Sequence, residues 1–322
     1  PFMDDTILLN DGSMVVLGLQ SKLNKNVSMN ATDAAWVADT AWTAVALEDD
    51  LMLEDGIILD HKGTISFLGQ RIVTGGDDIT WSTSNQTWYH AADLELNADL
   101  TLGATIVFDG SATATSYIKG NANTLEMNDK TLFVARNTTL KFENLVINGL
   151  HGKASGGADS AGAIVLDEGA YIVFKNVTIY MDTSNPYEFD RGTINIAKGS
   201  FLKILPGGES EQNFEYSTNA TLFNIESKAK FIIGRNATFE YDSSSETEML
   251  FVDETSEIHL DSSTFKATQN WTFATGTLIA EGKSTIDTTG ATSVSVATTA
   301  DLVIMPGATM LVEGNGTLQY NE

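Results

Sequence analysis

Four histidines, His61, His90, His151 and His259, and four arginines, Arg71, Arg136, Arg191 and Arg235, are the side chains best suited to acid–base or electrostatic chemistry in this sequence. They are scattered along the chain. The densest grouping of carboxylates with a base is Asp182, Glu188, Asp190 and Arg191. Such a set suits cation-assisted proton abstraction, but it lies in a Pro-containing stretch without metal-ligand spacing. No Ser/His/Asp set, phosphate-binding loop or zinc spacing occurs, and cysteine is absent, so thiolate metal sites and disulfides are excluded. We therefore expect no catalytic residue, no enzyme and no cofactor, with Ca²⁺, basic proteins and neutral or cationic glycans left open as partners of the acidic surface.

The 322 residues carry 43 acidic and 18 basic side chains, a net charge of -25. Nucleic acid and anionic membranes would be repelled by this charge, which also keeps a large assembly soluble. No run of about 18 apolar residues is present to span a bilayer as a helix. The chain opens on Pro1 rather than Met, as expected after trimming or removal of a secretory leader.

The elements that must position these side chains show themselves as a repeat. In 131–147 the apolar pairs are Leu132/Val134, Leu140/Phe142 and Leu145/Ile147. Thirty-two residues later stand Ile164/Leu166, Ile172/Phe174 and Val177/Ile179, apolar at all six positions. Further units read as Ile194/Ile196 with Leu202/Ile204 and then Pro206-Gly207-Gly208 in place of a third strand. They continue as Phe223/Ile225, Phe231/Ile233 and Ala237/Phe239, then Leu250/Val252, Ile258/Leu260 and Phe265. Leu278/Ala280 with Ile286, and Leu302/Ile304, Met310/Val312 and Leu318/Tyr320, close the series, whose period shortens towards the end. Alternation with period two, three short strands per unit and turns between them predict an all-β parallel β-helix of about ten coils, each stable only when stacked on its neighbours. We expect 91–322 to be regular and 1–90 to hold looser coils, with a lateral insertion at 28–50 carrying Trp36 and Trp42.

Asn144, Asn176, Asn236 and Asn315, with Ser262 at one equivalent place, stand between second and third strands. Asn tolerates the left-handed backbone of a sharp corner, and stacked amides can hydrogen-bond along the column. With this asparagine ladder, residues 90–320 resemble the pectate-lyase-like right-handed parallel β-helix superfamily, which holds lyases, hydrolases, adhesins and surface proteins alike. The resemblance implies a right-handed solenoid and a secreted or cell-surface location. Its polygalacturonase members pair carboxylate and Gly-His-Gly segments that have no ordered counterpart here. Gly76-Asp77-Asp78 and Leu150-His151-Gly152 are too far apart, and Arg71-Ile72-Val73 precedes both.

Nine Asn-x-Ser/Thr triplets occur, and Asn85 and Asn270 are the expected glycan acceptors among them. The stretches 151–162 and 181–192 are expected to project as loops. Trp81, Trp88 and Tyr89 are candidates for a contact or sugar-stacking surface. Because strand-like alternation runs to both ends of the sequence, copies are expected to join head to tail through Phe2, Ile7, Leu8, Leu9, Trp36, Trp42, Leu318 and Tyr320, by rung stacking or by exchange of Pro1–Leu9. The function expected is a self-assembling extracellular filament or surface-layer subunit. A surface adhesin binding glycans or a host cell surface is one alternative, and a polysaccharide lyase or hydrolase the other.

Overall fold

The computed structural model describes the strands between residues 7 and 108, with side chains from Leu94 onward, and all of 115–320 except 218–221, 244–248 and 292. It is an all-β parallel solenoid of about eight turns with almost no helix, in agreement with the expected fold class. Every strand pairing is parallel. Successive coils lie against one another on three faces. Face one contains Leu132–Val134, and the bent strand Thr139–Leu150 supplies face two with 139–143 and face three with 145–148.

The six apolar positions separated by 32 residues meet as the repeat requires. Leu132 pairs with Ile164, Val134 with Leu166, Leu140 with Ile172, Phe142 with Phe174, Leu145 with Val177 and Ile147 with Ile179. All are buried, and the outward positions between them are partly exposed, except Val165, which is itself buried under the doubled rung, so alternation in sequence becomes alternation between core and solvent elsewhere.

Beyond this unit the expected face assignment slips. Ile194 and Ile196 pair with Ile172 and Phe174, which places them on face two rather than face one. Leu202 and Ile204 stack on Val177 and Ile179, on face three. Face one is then supplied by Tyr187–Phe189 and Gln212–Ser217. The stretch 181–192 is thus not simply a projecting loop: Tyr187 and Phe189 are core residues. Met249 and Phe251, not Leu250 and Val252, take the inward positions paired with Phe223 and Ile225, and Leu250 and Val252 are exposed. Leu278 stacks on Ile258 of face three, a second slip. The coils do not shorten steadily, since Ile258 meets Leu278 in fewer residues than Leu278 needs to reach Leu302.

The core of face one is a column of rings. Tyr187, Phe214, Phe239 and Phe265 are successive partners, as are Phe189, Tyr216 and Tyr241. Phe189 and Tyr216 stack with centroids 6.0 Å apart, and Tyr216 and Tyr241 at 5.9 Å. Parallel in-register strands hold like rings in offset stacks, adding to the burial of each.

Corners are made by left-handed residues. Asn144 (φ 51) and Asn176 (φ 56) each turn the chain from face two to face three in a single residue. Asn176 Nδ2 donates to Asn144 Oδ1 at 3.1 Å. Asn236 (φ 60) and Ser262 (φ 52) occupy a different corner, between faces three and one, where the Asn236 amide donates to the Ser262 carbonyl oxygen at 3.2 Å. Asn315 lies at the third corner, between Thr309–Glu313 and Thr317–Tyr320. The four asparagines therefore divide among three corners.

Strand pairing crosses the expected boundary near residue 90: Thr87–His90 is partnered by Thr105–Phe108, and Leu94 by Ile72. Of the lateral insertion at 28–50 only Ser28 and Met29, the end of the strand Val27–Met29, are described, and Trp36 and Trp42 lie outside the described residues.

Candidate functional site: a lateral groove and an open rung

One coil lays two strands on face one. After 145–148 the chain runs through Gly152–Lys153, turns back through the short 3-10 segment Gly157–Asp159, and crosses the same face again as Ile164–Leu166. The first crossing pairs forward with Tyr187 and Glu188, and the second pairs backward with Leu132–Val134. The Leu166 amide donates to the Ala154 carbonyl at 2.8 Å and joins the two crossings.

Polar contacts pin this doubled rung. Buried Asp190 accepts from the Ser155 amide at 2.6 Å and from the Ser155 hydroxyl at 2.5 Å. The Tyr187 hydroxyl donates to the Ile164 carbonyl at 2.8 Å, Lys153 pairs with Glu188, and His151 Nδ1 lies 2.9 Å from the Gly149 carbonyl. Burial, with a smaller contribution from Asp190, pushes the Tyr187 phenol well above its usual range, so the phenol keeps the proton it donates.

Beside the doubled rung is a groove of about 320 Å³ lined by His151, Lys153, Asp159, Asn185 and Glu188 among others. A neighbouring hollow of about 260 Å³ is walled by Glu126, Asn128, Asp129, Asp182 and Thr183. The structure does not gather Asp182, Glu188, Asp190 and Arg191 into one carboxylate site. Asp182 accepts from the Ser184 and Asn185 amides at 2.8 and 3.2 Å, Glu188 points outward to Lys153, Asp190 is turned in to Ser155, and Arg191 is exposed. Among the described residues no group of three or more His, Asp or Glu side chains is placed to hold a metal ion.

Outward side chains form charge ladders across rungs. On face one the partners run Lys153, Glu188, Glu215, Glu240, Lys266. Lys153 pairs with Glu188 at one end and Lys266 with Glu240 at 2.9 Å at the other, and Glu215 sits between two like charges. Burial first, then Glu188, Glu240 and Asp242, raise the Glu215 carboxyl above its ordinary value. A carboxyl raised in the folded state holds its proton more tightly there, so its contribution to stability falls as pH rises through the window above about 4.3. Glu215→Gln is accordingly expected to raise stability at neutral pH by about 0.5–1 kcal/mol, a gain that vanishes near pH 4. Urea unfolding at both pH values checks it.

The last described coil, Ala300–Ile304, Thr309–Glu313 and Thr317–Tyr320, presents an open rung. Ala280, Ile286 and Val296 in the coil beneath are 0%, 1% and 0% exposed, while their partners Ile304, Val312 and Tyr320 are 49%, 39% and 52% exposed. At the opposite end Ile7–Leu9 pairs in parallel with Val27–Met29, and Phe2 lies outside the described residues. In chain order Ile7–Leu9 takes the place of a face-three strand, the face to which Ala300–Ile304 belongs.

Asn270 is exposed, with its Oδ1 accepting from the Ser293 amide at 3.1 Å, and Asn85 lies outside the described residues. Trp81, Trp88 and Tyr89 lie in strands whose backbone alone is described. The ring column and the doubled rung escaped the sequence reading; the alternating Phe-x-Tyr of Gln212–Ser217 was the available signal for the first. Comparison with protein-family models, curated proteins and solved structures finds no match for this chain.

Proposed function

We propose that this chain is a structural building block that polymerises end to end, the rung at Ile304, Val312 and Tyr320 receiving the Ile7–Leu9 rung of another copy. Stacking carries the reading: each coil buries its inward side chains only against the coils on either side of it, so a column of them is extended by another matching coil. A strand laid on Ala300–Ile304 must run parallel, and Ile7–Leu9 of a second copy has that direction and place in the coil. Repeated head to tail, such a contact does not close and builds a filament. We read the product as an extracellular or cell-surface structure and place the chain beside the pectate-lyase-like β-helix proteins. The net charge, the stacked coils and the Asn144–Asn176 amide contact at one corner support that assignment.

The test is electron microscopy with light scattering of the purified chain. Wild-type protein is expected to form unbranched filaments, and Val312→Asp, alone or with Ile304→Asp, to give particles of single-chain mass with unchanged far-UV dichroism. Wild-type protein that stays monomeric at high concentration overturns the reading. The groove beside the doubled rung favours a second reading, a glycan-binding surface protein. A glycan array in which His151→Ala and Lys153→Ala lose the signal would favour it instead.

A further inference from the structure

We propose that face two, at Tyr117, Lys119, Lys141 and Lys175, is a lateral docking surface for a second copy of this chain, engaged through that copy's glutamate ladder on face one. The contact is separate from end-to-end stacking and uses other residues. In a chain of net charge -25 these lysines are an exception. Lys119, Glu143 and Lys175 are successive partners in three coils, and Lys141 is the rung partner of Tyr117. Three ammonium groups thus surround one carboxylate. Glu143 pairs with Lys175 and lies 3.9 Å from Lys141. The Tyr117 ring holds the Lys119 and Lys141 ammoniums 5.2 and 5.3 Å from its centroid. Cations held over a ring are already ordered, which lowers the entropy lost on docking.

The complementary surface is on the same molecule, on another face and in later coils. Glu188, Glu215 and Glu240 are successive rung partners, so three carboxylates stand between Lys153 and Lys266. Among the described residues Glu215 has no cation within ion-pair distance. Lys119 and Lys175 stand two rungs apart with Glu143 between them, and Glu188 and Glu240 stand two rungs apart with Glu215 between them, so the two pairs share a spacing of about 9.6 Å, twice the strand spacing, and Lys141 beside the middle rung is left for Glu215. An acidic polysaccharide offers the lysines the same charge, but its repeat is not fixed by strand spacing. Patch and ladder are different surfaces, so the contact is heterologous and sets columns side by side in an open array.

The experiment is sedimentation velocity in the Val312→Asp background, where end stacking is blocked, at about 20 mM and about 500 mM salt. Association is expected at low salt and absent at high salt, as for exposed ion pairs. The triple variant Lys119→Gln, Lys141→Gln, Lys175→Gln is expected to weaken it at least tenfold while unfolding cooperatively. A charge-reversed pair completes the test: one chain carries Lys119→Glu, Lys141→Glu and Lys175→Glu, the other Glu188→Lys, Glu215→Lys and Glu240→Lys. Each alone should stay monomeric, and their mixture should associate. A monomeric parent at low salt, association untouched by the glutamine triple, or no recovery in the mixture overturns the proposal. So does a parent that binds polygalacturonate through the lysines without associating with itself.

Discussion

Phe239→Ala is expected to cost about 3–5 kcal/mol of folding stability, the range for removing a large aromatic from a close-packed core. The ring is fully buried and has neighbours on every side: Phe231 at 5.0 Å, Phe265 at 5.6 Å, Phe223 at 5.8 Å, Phe214 at 5.9 Å and Tyr216 at 6.5 Å between centroids. It ties the inward side chains of all three faces together, since Phe223, Phe231 and Phe265 come from strands of different faces. The surrounding rings are held by their own rungs and cannot all move into the space, so most of the cavity should persist. Guanidinium unfolding should show a lower midpoint. Phe239→Leu, which fills part of the volume, should recover a portion of the loss. A midpoint shift under about 1 kcal/mol would mean that the column relaxes freely around the missing ring.

The second large effect is expected at Gly152, where the chain enters the doubled rung with φ 83. A Cβ here would overlap the Asp159 carbonyl oxygen and lie 2.9 Å from that of Ala161, both backbone atoms of the return segment. Gly152→Ala therefore adds the left-handed penalty of about 1–2 kcal/mol to an overpacking cost of about 1–3 kcal/mol. The effect should be local. Hydrogen exchange is expected to accelerate over 152–166 and to leave 230–290 protected, because the contacts of Gly152–Lys153 and Ile164–Leu166 are confined to their own coil and its neighbours. Acceleration spread evenly along the column would contradict this assignment.

The fold was legible because its signal is redundant. The match of Leu132, Val134, Leu140, Phe142, Leu145 and Ile147 to the positions 32 residues later requires three strands in a fixed order, and the structure stacks those pairs. Which face each later strand occupies was not legible. An apolar-x-apolar triplet looks the same on all three faces, so passing over one strand slides every later label: Tyr187–Phe189 before Ile194 and Trp271–Phe273 before Leu278 are the strands passed over. Leu250 and Val252 misled for a different reason: in the run Met249–Val252 every residue is apolar, and only the register with Phe223 selects Met249 and Phe251. The carboxylates from Asp182 to Asp190 were visible as a group in sequence. Their division among a turn, a ladder and a buried serine depends on Tyr187–Phe189 being a strand, which sends Glu188 outward between two core rings.

The doubled rung resembles a dislocation in a crystal, where a partial layer ends inside the lattice and its neighbours close around the edge. Face one gains a layer that the other two faces lack, and the face-one pairings on either side of the fault keep register. Such a fault can be inserted or healed one side at a time. A lineage of these columns can therefore change length without ever adding a whole turn.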